Sequence, residues 1–189
     1  MANGDQDVPQ HPLAEGSTMS EQQRQRVMTF FRMDDAPTLD DDGMMSTAPA
    51  DIDPAVFATF DASDLGAGQL VKVLFKGAGP DGFSLVHARF EPGFRLPRHS
   101  HSSDCLYVVI GGEAHLGTRV LKPGDGFFIK AEAPYAYSAG PDGVEVLEFR
   151  ASTSFDIKIR DTSVEDWKPV ADATREHGES WAKARAGVA

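Results

Sequence analysis

Between Gln69 and Arg150 the chain runs in short apolar stretches separated by Gly, Pro and Asp, the pattern of an all-β domain with tight turns. QLVKVLFK, Gln69 to Lys76, alternates and puts Val71, Val73 and Phe75 on one face. FSLVHARF, Phe83 to Phe90, is bounded by the turn signals GPDG and EPG. LYVVI, Leu106 to Ile110, is apolar at every position, which predicts a strand covered on both faces. GFFIK, Gly126 to Lys130, follows the turn LKPGD, and VEVLEFR, Val144 to Arg150, follows a second GPDG. Strands at this spacing predict a sandwich or a barrel.

The flanks have a different character. From Met1 to Met19 the chain is rich in Gly, Pro, Gln and Asp and poor in large apolar residues, so it offers little burial to offset the entropy of ordering. Disorder is the expectation there. Ser20 with Gln23 forms a capping-box pattern ahead of Val27, Phe30 and Phe31, which predicts a short docking helix. Asp34 to Asp53 carries the run Asp40, Asp41, Asp42 together with Pro37, Gly43 and Pro49, and reads as a solvated linker. The division expected is thus an acidic, largely disordered extension over 1–53, a β domain over 54–160 and a helical segment over 161–189. That last segment is rich in Ala, Glu, Arg and Lys and holds both Trp residues, which predicts one or two helices with a break at Gly178.

Charge narrows the range of partners. The net charge is −11, and residues 1–53 hold eleven Asp and Glu against three Arg, so most of the acidity belongs to the extension. No basic stripe is present to release counterions from nucleic acid or to meet anionic lipid, so neither is an expected partner. The lone Cys105 cannot form a disulfide within the chain. No apolar run approaches the roughly 20 residues needed to cross a bilayer, and no secretory leader follows Met1. A soluble cytoplasmic protein is the expectation.

The chemistry concentrates in PRHSHSSDCLYVVIGGE, Pro97 to Glu113. His99 and His101 are one residue apart, and on an extended chain both imidazoles take the same face. From Gly93 the order is five residues, His99, Ser100, His101, three residues, Cys105, six residues, Gly112. This resembles the first motif of the cupin superfamily, with Cys105 where that motif has glutamate. A second, looser motif follows in Gly117, TRVLK, Pro123, Gly124, Asp125, then AEAPYAY, with Tyr135 where the family usually places its last histidine ligand. The resemblance covers about residues 66 to 152. It implies a double-stranded β-helix, the cupin jelly-roll barrel, with a small cavity between two sheets and often a homodimer.

The resemblance also implies a site of three histidines and a glutamate holding a divalent metal ion, such as Fe, Mn, Ni or Zn. Carried over by position, His99 and His101 remain, with Cys105 as a soft thiolate and Tyr135 as a phenolate for the missing pair. Asp104 is a different third ligand, giving two histidines and a carboxylate if the chain bulges there. Tyr107 and Tyr135 are candidate pocket walls, and His87 and Arg89 a candidate base and anion clamp. Their plain alternatives are core or rim aromatics and a half-exposed strand face. Two functions remain open: a metal-dependent dioxygenase or isomerase-like enzyme on a small oxygenated substrate, and a metal-poor barrel that binds or senses a small molecule.

Overall fold

The computed structural model describes residues 28–79 and 81–187. The disordered tail and most of the docking helix expected from Ser20 lie outside these residues; Met28 to Arg32, at the end of that segment, carry no regular secondary structure.

One compact unit begins at Phe31, well before the expected boundary at Asp53. The acidic stretch read as a linker belongs to the fold. Thr38 caps a short helix, α1 (Leu39–Asp42), by accepting the Asp41 N–H, so the aspartates occupy a first turn where negative charge is favoured. Leu39 and Met44 then enter a buried cluster with Val73, Val86 and Phe155. Strand β1 (Met45–Thr47) runs parallel to β9 (Phe155–Ile159) in the smaller sheet. Leu39, Met44 and Met45 stand among polar residues without a sustained period, which is why the segment reads as solvent-facing; a partner strand more than a hundred residues away supplies the order.

Two sheets face each other across the core. The smaller has the order β1–β9–β4, where β4 is His99–His101. The larger is built from β2 (Gln69–Lys76), β3 (Ser84–Phe90), β8 (Ser138–Arg150), β5 (Cys105–Leu116) and β6 (Arg119–Leu121), with β7 (Gly126–Ile129) also on β5. Gly112 sits at a bulge where β5 meets β8, at φ +62°, and a Cβ there would lie 2.1 Å from the Gly143 carbonyl oxygen. Only glycine fits that position.

β5 differs from expectation on one face. Cys105, Tyr107 and Val109 are buried, whereas Leu106, Val108 and Ile110 are 45, 36 and 44% exposed. An all-apolar run is therefore covered on one side of the sheet within the chain. Phe128 and Phe149, which flank Leu106 in register, are exposed beside it.

A 3₁₀ turn, Pro54–Ala58, and helix α2 (Ala62–Ala67) lead to the barrel, and helix α3 (Val164–Ala186) closes the chain against it. A capping box between Ser163 and Asp166 starts α3. The predicted break at Gly178 is absent. A Cβ at Gly178 would lie 2.8 Å from the Asp64 Cβ, so this glycine admits α2 against α3 instead of ending the helix. Trp181 is 1% exposed, packs 5.4 Å from the Phe94 ring and donates its indole N–H to the Pro92 carbonyl at 3.0 Å. Trp181→Ala is expected to lower unfolding stability by about 3–5 kcal/mol, the range for a buried Trp to Ala. Denaturant unfolding followed by circular dichroism checks this, and a loss below about 1 kcal/mol contradicts the anchoring role.

Candidate functional site

Strand pairing brings the site together. His99 and His101 oppose Ile159 and Ile157 on β9, and His99 also exchanges two backbone hydrogen bonds of 2.9 Å with Tyr135. A residue 36 positions away is thereby fixed beside the first imidazole, with ring centroids 4.5 Å apart. The two imidazoles are themselves 4.9 Å apart. His99 Nδ1 lies 2.8 Å from the Pro97 carbonyl and His101 Nδ1 lies 2.7 Å from the Asp156 carbonyl. Carbonyl oxygens only accept, so each Nδ1 carries the proton and each Nε2 keeps its lone pair. Burial pushes both histidines below their ordinary pKa, His101 to about 3, and the Arg150 charge acts in the same direction. Both rings are neutral at physiological pH.

The larger sheet supplies the other wall. Val144, Val146, Glu148 and Arg150 share one face of β8, and all four are buried. Arg150 Nη2 donates to Glu148 Oε2 at 2.7 Å and to the Tyr107 hydroxyl at 3.0 Å. Tyr107 in turn shares a hydrogen bond of 2.5 Å with the Tyr135 hydroxyl. The guanidinium carbon lies 4.1 Å from the Phe155 ring centre, within cation–π range. Burial pushes Tyr107, Tyr135 and Tyr137 above the usual phenol range, with the Glu148 charge next in effect, so all three stay protonated. Burial works against the Arg150 charge, but Glu148 and the surrounding groups more than offset it and hold the pKa above its ordinary value.

These groups line a cavity of about 80 Å³ with His99, His101, Tyr107, Tyr135, Glu148 and Arg150 on its wall. It opens between the two sheets, with Met45 of β1 and Phe155 and Ile157 of β9 also on it.

The other expected ligands lie elsewhere. Asp104 is exposed, and its carboxylate accepts the Ala131 N–H at 2.7 Å. Cys105 is buried in the hydrophobic core, its thiol pushed up to about 12 by burial first and the Glu148 charge second. His87 and Arg89 are out of phase with Val86, Ala88 and Phe90, so they take the opposite face of β3. There His87 pairs with Glu145 at 2.9 Å and Arg89 with Glu91 at 3.1 Å, and neither lines the cavity. Glu148 and Arg150, which do, were legible only as charged residues at the inward phase of VEVLEFR.

Tested against a metal ion, the donors divide. The histidine pair suits one, since each ring is fixed through Nδ1 with Nε2 free. The remaining positions do not complete a set: the thiol and phenols are held protonated, Glu148 is committed to Arg150, and no group of three or more His, Cys, Asp or Glu side chains is placed to share an ion among the described residues.

No family model matches the chain, and no curated protein does. Among solved structures, the polyketide cyclase RemF from Streptomyces resistomycificus is similar at 15% identity, over 76% of this chain and 98% of that one, with a TM-score of 0.51. An RmlC-like cupin from Shewanella frigidimarina aligns at 18% identity over 65% of this chain and 89% of that one, with a TM-score of 0.43. A chain from the crystal structures of the DMSP lyases RdDddP and RnDddQII aligns at 26% identity and a TM-score of 0.39, and the match spans 43% of this chain and under half, 46%, of that one.

Cys105 is expected to resist alkylation in the folded protein at mildly alkaline pH, because a buried thiol with so high a pKa offers almost no thiolate. Mass spectrometry after iodoacetamide treatment, with and without denaturant, checks this; rapid labelling of native protein contradicts it.

Motif spacing, two facing sheets and a buried histidine pair between them agree on one architecture: this chain has the cupin fold.

Proposed function

We propose that the chain is a small-molecule-binding cupin that holds its ligand in the barrel through its own side chains, as a binding or sensing module. One observation carries this reading. The cavity wall combines two neutral imidazoles that accept at Nε2, phenols that donate, and a charged guanidinium with uncommitted N–H groups. An apolar-walled pocket with a few convergent polar groups is the usual form of a small-molecule site. Among the described residues the one long helix, α3, mixes acidic with basic side chains and packs on the barrel through Trp181, so it presents no basic stripe for DNA.

A second reading, a metal-dependent dioxygenase or isomerase-like enzyme on a small oxygenated substrate, is favoured by the anchoring of both Nδ1 atoms. A divalent ion at His99 and His101 would supply Lewis-acid or redox chemistry there. Elemental analysis of untagged protein separates the two. The binding-module reading predicts metal far below one per chain and a melting temperature unmoved by chelator. Stoichiometric metal, lost from a folded His99→Ala, His101→Ala double variant, would overturn it.

We also propose a second copy of the chain as the partner of the exposed face of β5. Leu106, Val108, Ile110, Phe128 and Phe149 make a run that is continuous across three hydrogen-bonded strands and carries no charge. Monomers rarely expose such a face, and two copies related by a twofold axis would each cover the other's. Light scattering is expected to give twice the chain mass of 20.4 kDa, and Val108→Glu to give the single mass. A wild-type monomer at working concentrations contradicts the proposal.

A further inference from the structure

We infer that Arg150 and Tyr137 form a subsite for a carboxylate group, so that the ligand of the barrel is a small organic acid. This rests on the binding-module reading and names its ligand class.

The inference starts from donors without acceptors. Arg150 is 1% exposed, and a guanidinium carries five N–H groups, all of which must find acceptors when water is excluded. Nη2 is satisfied by Glu148 and Tyr107. Nε and Nη1 are buried without any partner, and so is the Tyr137 hydroxyl. Arg150 and Tyr137 line the same cavity. Leaving charged donors unpaired in a protein interior is costly, and the commonest reasons are an unplaced water or a ligand.

The missing partner must accept more than it donates. An ionised carboxylate only accepts, has two oxygens with room for about four hydrogen bonds, and forms stronger bonds to a guanidinium than a neutral oxygen does. Glu148 does not fill this role, because its hydrogen bond to the arginine is made to Nη2 and not to Nε or Nη1. The histidines add a second requirement. Their Nε2 atoms accept, so a hydroxyl or other donor on the same ligand would match them. The cavity size also selects. About 80 Å³ suits a compact acid or the acid end of a longer one.

The test is a binding panel on the full-length protein in a carboxylate-free buffer, read by thermal shift and calorimetry. The panel contains short aliphatic acids, with and without a 2-hydroxyl, their neutral amides and alcohols, and inorganic phosphate. At least one acid is expected to raise the melting temperature while its amide does not. Tyr137→Phe removes only an unpartnered hydroxyl, so it is expected to leave the unliganded protein no less stable and to weaken acid binding by about tenfold. Arg150→Met combined with Glu148→Gln removes the buried charges together, which avoids stranding one of them, and is expected to abolish discrimination between acid and amide. Amides or alcohols that bind as tightly as the acids overturn the carboxylate subsite and leave the binding module standing. Phosphate binding in preference to every acid overturns the carboxylate assignment in the same way. If no acid and no neutral compound binds, both fall, and water is the partner of Arg150.

Discussion

A guanidinium withdrawn from water is the constraint on which the rest of this barrel depends. Arg150 is almost fully buried at the end of β8, where isolated charge is very costly, so the chain must surround it with compensating groups. Glu148, two residues earlier and therefore on the same face, supplies the opposite charge. Tyr107 supplies an acceptor and passes the connection to Tyr135, which the backbone of β4 holds against His99. One hydrogen-bonded line thus runs from the larger sheet to the smaller. The positive charge at its end is also part of why the imidazoles are neutral, after burial itself. Removing one member would leave the others buried without partners.

How much of this was legible follows from the range of each signal. The alternating and apolar runs predict β2, β3 and β7 close to their observed bounds, because strand parity is local and an inward-facing residue shows itself within a few neighbours; of β5 and β8 they predict only part, since β5 runs on to Leu116 and β8 begins at Ser138 and carries through the GPDG expected as a turn. The motif order from Gly93 to Gly112 gives the barrel and the inward histidine pair, and Gly112 is explained by contact with the Gly143 backbone. The strands β1 and β9 were not legible. β1 is three residues long and takes its order from a partner far away in sequence, whereas β9 does alternate, Phe155, Ile157 and Ile159 against Asp156 and Lys158, but over five residues beyond the last run read as a strand. Gly178 shows the same limit. Composition makes a helical glycine look like a break, and only the approach of Asp64 reveals a packing role.

The site itself was half legible. Residue type and spacing pick out His99, His101, Tyr107 and Tyr135, all of which line the cavity. The same spacing proposes Asp104, His87 and Arg89, and here parity decides against them. A strand neighbour of an inward residue points outward, so His87 and Arg89 meet Glu145 and Glu91 on the outer face, and Asp104 caps the loop at Ala131. Parity applied to VEVLEFR would have found Glu148 and Arg150, which sit in phase with Val144 and Val146. Charge at an inward position of an apolar strand is the signal, and it is visible without any family resemblance.

Cys105 gives that signal its chemical meaning. Where the resembling motif has an acidic residue, this chain has a small, protonated thiol packed in the core, and the cavity's carboxylate comes instead from β8, already bound to an arginine. The exchange alters the balance of the pocket. A free carboxylate beside two imidazoles makes an acceptor-rich site that suits a cation. A carboxylate consumed by a guanidinium leaves donors in excess at that end, because one acidic group answers only part of a five-donor side chain. Two acceptor nitrogens remain at the other end, on His99 and His101. A cavity polarised in this way complements a molecule with an acceptor-only group at one end and a donor at the other, and it is poorly matched to a bare dication.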